Sequence, residues 1–142
     1  PGCIVGAYMC PWTPDEFDGA LTRIFAQDYE LLAPTIDVFT PLIYARKCGR
    51  GPAWAGEYLT QAASFVPQAR KVQLILGMLD FPESLKAVAA SPRPSWGIQV
   101  FAGADVFRSD EQAAVFRASV AHIRETVAGS ATPPTASAAR PT

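Results

Sequence analysis

Four runs along the chain are apolar almost without interruption: CIVGAYM (3–9), VFTPLIY (38–44), VQLILGML (72–79) and GIQVFAG (97–103). Each has the length of a strand, and none shows the polar alternation of a strand with one wet face. Continuous apolar character of this kind predicts strands of a parallel sheet, buried on both faces. Between the runs, the spacing of apolar positions becomes helical. Thr13, Pro14 and Glu16 supply an N-cap, a proline at the first helical position and a capping-box acid; Phe17, Leu21, Ile24, Phe25 and Leu32 then recur at helical intervals. A second helix is predicted over roughly 54–65, stopping before Pro67. A third runs from near Pro82 to Ser91, where SPRPS breaks it. The fourth starts at Ser109, with Gln112 as its capping-box partner, and stops at Gly129.

The order β-α-β-α-β-α-β-α predicts an α/β chain of four consecutive βα units around a parallel sheet. Right-handed crossovers allow an open doubly wound sheet or part of a (β/α)8 TIM barrel. The barrel is favoured on two grounds. No strand-to-helix turn carries GxGxxG or a P-loop, which an open nucleotide-binding sheet would often show. Four units are also half of a barrel of about 250 residues. The expectation is the C-terminal half of such a barrel, with two sheet edges left unpaired. Residues 1–129 form this partial barrel domain, and residues 130–142, rich in Pro, Ser, Thr and Ala, read as a disordered tail. Strand-like sequence begins at once after Pro1, with no initiator Met or basic leader, so the chain is expected to begin inside a larger protein or after processing. Because the stretch after Gly129 reads as a chain end, the missing half is expected upstream. Any targeting signal would lie there too, which leaves the compartment unread, secreted or cytoplasmic.

Composition narrows the function classes. The 142 residues are 49% apolar with a formal net charge of −1, which gives no electrostatic argument for nucleic acid or an anionic membrane as partner. Every apolar run is broken well short of the roughly 18 residues that span a bilayer, so no membrane insertion is expected. Three cysteines without a CxxC, and a single histidine, His122, remote from them on the last helix, make no metal site. No cofactor is implied. Cys10 and Cys48 follow neighbouring predicted strands at the same end of the sheet and are disulfide candidates. Cys3, at the other end of the first strand, reads as an inert buried thiol.

In a barrel, chemistry gathers at the C-terminal strand ends. Those places here are Met9-Cys10-Pro11-Trp12, Tyr44-Ala45-Arg46-Lys47, Leu79-Asp80-Phe81 and Gly103-Ala104-Asp105. They supply two carboxylates, a tyrosine, a tryptophan and cations, the materials of a polar cleft with aromatic walls. The succession DVFTPLIYARKCGRG, KVQLILGMLDFPES, WGIQVFAGADVF resembles the C-terminal half of uncharacterised glycoside hydrolases with a TIM-barrel fold. There, a strand of the form apolar–Pro–apolar–Tyr precedes another strand and then a Gln-containing strand near the chain end. The resemblance covers roughly residues 1–128. Chitinase-type barrels place a tyrosine comparably, but their pattern continues with an acid where this chain has Ala45.

What the resemblance implies is hydrolysis of a glycosidic bond in a carbohydrate substrate, which needs two carboxyl groups. If the strands are the fifth to the eighth, Asp80 ends the seventh, where many retaining barrel hydrolases carry their nucleophile. Theirs is usually Glu. The acid would come from the fourth strand, outside this chain, with Asp105 as another carboxylate. Tyr44 would hydrogen-bond the carboxylate or the sugar, and Trp12 would stack on a pyranose face.

Plainer roles stand beside these. Asp80 precedes a helix and has the position of an N-cap; Asp105 fits a turn; Glu16 fits the capping box, and Glu83 the helix dipole. Tyr44 and Trp12 can equally pack as core or rim, and His122 is read as solvated. Arg46, Lys47 and Arg50 make a solvated loop, a site for substrate anions, or, for Arg46, a partner that keeps a carboxylate ionised. Gly49 and Gly51 suit a turn with positive φ. The competing functions are therefore a barrel enzyme binding a phosphorylated or carboxylated small molecule, and a non-catalytic carbohydrate-binding or structural barrel.

Overall fold

The computed structural model describes residues 2–92, 95–103 and 108–130, with side chains of the last helix described as far as Ala121. Among these residues the chain is α/β, with a four-stranded, all-parallel sheet and five helices. The strands are β1 (Gly6–Met9), β2 (Val38–Ile43), β3 (Lys71–Gly77) and β4 (Gly97–Phe101), and they pair in chain order. The register sets Tyr8 beside Thr40, Leu42 beside Ile75 and Gly77 beside Phe101. Between β2 and β3 it passes over Thr40 and Pro41, where the proline has no N–H to donate.

Strands that pair in chain order with right-handed crossovers carry every helix on one face. Burial follows that rule. Met9, Phe39, Ile43, Leu74 and Leu76 point to the helices and are fully buried with Tyr58, Leu59 and Phe81. The opposite face carries Tyr8, 64% exposed, and Phe101, 51% exposed, and there the Gln99 side-chain Nε2 donates a hydrogen bond of 2.7 Å to Gln73 Oε1, joining β4 to β3. The expectation of burial on both faces therefore fails at the outer strands among the described residues. Among the described residues, open-face side chains such as Val38, Thr40 and Ile75 are buried in the central strands.

The predicted first helix is the largest departure. Glu16 accepts the Thr13 backbone N–H at 2.7 Å, as a capping box requires, but no long helix follows. Phe17, Asp18 and Gly19 take positive φ in succession, and Ala26 does so again. These left-handed residues split the segment into two single turns, α1 (Ala20–Arg23) and α2 (Tyr29–Leu32). Asp28 caps α2 by accepting the N–H groups of Glu30 and Leu31 at 2.9 and 3.0 Å. The Gln27 side chain turns back to β1, accepting from Cys10 N–H at 2.7 Å and donating to the Tyr8 carbonyl at 3.2 Å. The remaining helices form close to where the sequence places them: α3 (Trp54–Phe65), α4 (Phe81–Ala89) and α5 (Asp110–Ser130).

Helices α3 and α4 approach closely because of Gly56. A Cβ there would lie 2.4 Å from the Ala87 carbonyl oxygen. Beneath them the Tyr29 and Tyr58 hydroxyls share a buried hydrogen bond of 2.8 Å. Burial raises both phenols above the ordinary tyrosine value, and the Tyr29 neighbour adds to the effect on Tyr58.

Candidate functional site

The chain leaves β2 through a tight turn in which Tyr44 N–H donates to the Leu42 carbonyl at 2.9 Å. A single 3-10 turn at Arg46–Cys48 follows and ends on Gly49, whose φ of 68° only glycine adopts at little cost. Gly51 is absent from the positive-φ residues, so only one of the two glycines serves the turn in that way. β3 ends in a matching 3-10 turn at Met78–Asp80 before α4 begins. With the end of β4 and the start of α5, these turns enclose a cleft of about 360 Å³. Tyr44, Arg46, Lys47, Gly77, Met78, Leu79, Asp80, Phe101, Gly103 and Gln112 line it. This is the C-terminal side of the parallel strands, where α/β sheets hold their ligands.

Asp80 sits at the inner end of the cleft, 8% exposed. It occupies the N-cap position of α4 but makes no capping bond to that helix. Its Oδ2 accepts the backbone N–H of Arg46 at 3.0 Å, so the carboxylate braces the turn after β2 against the turn after β3. The simple capping role is thus excluded. Where Arg46 supports Asp80, it does so through its main chain, and its side chain is left at the exposed rim. Gly77 lies between Asp80 and Tyr44, where an added Cβ would stand in ordinary contact with Asp80 Oδ1 at 3.5 Å and the Tyr44 ring at 3.7 Å.

The aromatic wall is Tyr44 with Phe101, ring centroids 5.1 Å apart and tilted by 38°. Lys47 Nζ lies over both, 5.4 Å from the Tyr44 centroid and 5.1 Å from that of Phe101. Each such contact is worth about 0.5–1 kcal/mol at an exposed site. Burial, and then the nearby Tyr8 phenol, raise the Tyr44 hydroxyl above its ordinary value. Tyr44 therefore stays neutral at physiological pH and can donate a hydrogen bond.

The other sequence candidates divide between this cleft and its surroundings. Arg50 turns away from the cleft to pair with Glu16 and stack on Trp54, its guanidinium carbon 4.6 Å from the ring centroid. Burial opposes the charge on Glu16. The Thr13 amide and the Arg50 guanidinium outweigh it and hold that carboxyl below its usual range. Trp12 packs on Phe17 and Phe25, centroids 4.9 and 5.2 Å away, beside β1 and outside the cleft lining. Asp105 lies outside the described residues, as does the side chain of His122.

Cys10 and Cys48 are free thiols, both raised by burial, so the bridge considered between them is not formed. Cys3 is free and exposed, against the expectation of a buried thiol, because β1 starts only at Gly6. Among the described residues, no three His, Cys, Asp or Glu side chains gather as metal ligands, and no helix is long and apolar enough to cross a membrane.

Sequence reasoning missed Phe101, Gln112, Gly77 and Gln27. Phe101 was in principle detectable, since it stands two positions beyond Gln99 and so shares the open face. Gly77 and Gln27 carried no local signal, and the signal at Gln112 pointed to a capping box and not to a cleft; their roles depend on which loops the sheet brings together. The chain matches no family model, no curated protein and no solved structure, so its chemistry has to be argued from its own residues.

Proposed function

We propose that this chain is the C-terminal half of a (β/α)8 barrel and that its cleft is one side of a glycoside-hydrolysing active site. The observation that carries the reading is the placement of Asp80. It is a carboxylate at the C-terminal end of β3, held by a backbone amide and facing a cleft with Tyr44 and Phe101 as aromatic walls. Aromatic faces suit the apolar faces of sugar rings, and a fixed carboxylate suits attack on an anomeric carbon or activation of water. Tyr44, kept protonated, is a donor for a sugar hydroxyl or for the carboxylate.

Two further features support the half-barrel. The strands run in chain order with helices on one side, the arrangement that continues into a closed barrel. Exposed apolar side chains also flank the sheet: Phe17, Ile24 and Phe25 beside β1, and Trp96 at β4. These are surfaces that further βα units would cover. The second carboxyl group would then come from those units.

The test is hydrolysis of aryl glycosides and oligosaccharides by the full-length protein and by its Asp80→Asn variant. Asparagine keeps an acceptor for the Arg46 amide but removes the nucleophile or base. Activity should fall by roughly 10²–10⁴-fold. Unchanged turnover would remove Asp80 from the chemistry, and absence of any glycosidase activity in the wild-type protein would remove the reaction class.

A further inference from the structure

Among the described residues that line the cleft, two cations accompany one carboxylate, and that imbalance bears on which sugar it would take. Arg46 and Lys47 both line it, and Asp80 is the carboxylate among its described lining residues. The carboxylate is engaged by a main-chain amide, and among the described residues no cation is seen paired to it. Among the described residues Arg23, Arg50 and Arg70 pair with carboxylates, and no such pair is seen for Arg46 or Lys47. Lys47 instead rests its ammonium over the Tyr44 and Phe101 rings, at the place where a sugar ring would stack. A neutral sugar entering there has to displace that cation without offering it a counter-charge. A sugar bearing a carboxylate stacks on the same rings and pairs with the displaced ammonium in one step.

We infer that the cleft selects a carboxylate-bearing sugar, a uronic acid unit, with Lys47 as the residue that recognises the anionic group and Arg46 supporting it from the rim. The inference rests on the carbohydrate reading above and adds the substrate class. A monoanion fits better than a phosphate. Asp80 already places a carboxylate among the described lining residues, and its repulsion weighs more on a dianion than on a monoanion. The loop that follows β3 also lacks the glycine-rich run of a barrel phosphate site.

The experiment is titration of the full chain with D-glucuronate, D-glucose and glucose 6-phosphate at low ionic strength. The amide signals of Arg46 and Gly77, which flank the cleft, report binding by nuclear magnetic resonance. Glucuronate should bind at least about tenfold more tightly than glucose, and the advantage should shrink as salt is added. Lys47→Gln should abolish the preference, with glucose bound no more weakly than before because no cation then has to be displaced from the rings; persistence of the Arg46 amide signal shows that the cleft is intact in the variant. Equal affinity for glucose and glucuronate overturns the anion selectivity but leaves the sugar cleft standing. So does a preference that survives both Lys47→Gln and Arg46→Gln. Tighter binding of glucose 6-phosphate than of glucuronate overturns the monoanion assignment. If no sugar perturbs either amide, this inference and the carbohydrate reading fall together.

Discussion

The Asp80 carboxylate and the Arg46 backbone amide, 34 residues apart in the chain, are joined by a hydrogen bond of 3.0 Å. Through it, two neighbouring strand ends hold a common geometry, and the carboxylate is oriented before any ligand arrives. Pre-set orientation of this kind is what a reacting group requires. It is also a local stabilising contact that can be measured separately.

Asp80→Ala leaves the Arg46 N–H without its acceptor, and the expected cost is about 1–3 kcal/mol. Asp80→Asn retains a carbonyl oxygen at that place and should cost less. Urea denaturation gives the two stabilities, and hydrogen exchange at the Arg46 amide reports the bond itself. Protection should be lost in the alanine variant and largely kept in the asparagine one. Equal exchange rates in both variants and the wild type would show the bond to be idle.

At Gly56 the helices α3 and α4 have no room for a methyl group, since it would stand 2.4 Å from the Ala87 carbonyl oxygen. Alanine has the higher helix propensity, so an isolated helix would gain from the change. Here the clash should dominate, and Gly56→Ala should destabilise the fold by roughly 1–3 kcal/mol. Gly51→Ala makes a suitable control, because nothing lies within 4 Å of the added atom. A lower thermal midpoint for Gly51→Ala than for Gly56→Ala would contradict the packing argument.

The buried Tyr29–Tyr58 pair makes a prediction about alkaline pH. Burial raises both phenols, so the folded chain keeps its protons where the unfolded chain, titrating near 10, gives them up. Stability is therefore fully present below pH 10 and declines as pH rises above it. Tyr58→Phe should weaken that dependence but strand the Tyr29 hydroxyl, costing about 1–3 kcal/mol. Replacing both tyrosines by phenylalanine should cost less than the sum of the two single changes. Denaturation at neutral pH and near pH 11 separates the effects, and strict additivity would mean that the 2.8 Å bond contributes nothing.

Much of this architecture could be read from the one-dimensional pattern. The four apolar runs became four parallel strands, and α3 closes before Pro67 because proline and its predecessor resist helical geometry. The segment after β1 misled because its capping residues are genuine. Thr13 and Glu16 do make the expected bond, yet the left-handed backbone at Phe17, Asp18 and Gly19 ends the turn at once. Of those three, Gly19 and more weakly Asp18 advertise such a conformation, and Phe17 does not. The site was legible where it followed strand ends, as at Tyr44, Lys47 and Asp80. It was illegible where tertiary contacts decide, as with Arg50, which stays beside the loop in sequence but turns to Glu16 and Trp54.

Gln27 has one further consequence. Val5 directs its carbonyl to Asp37 and Val38, so by strand alternation the polar groups of Tyr8 and Cys10 face the unpaired margin of β1. The Gln27 amide occupies one acceptor and one donor there, imitating a rung of a neighbouring strand. Any strand that extends the sheet on this side must therefore meet β1 through its lower rungs, around Gly6. The same plug blunts the margin against chance pairing between molecules, so a single side chain both shields the edge and limits how the sheet can grow.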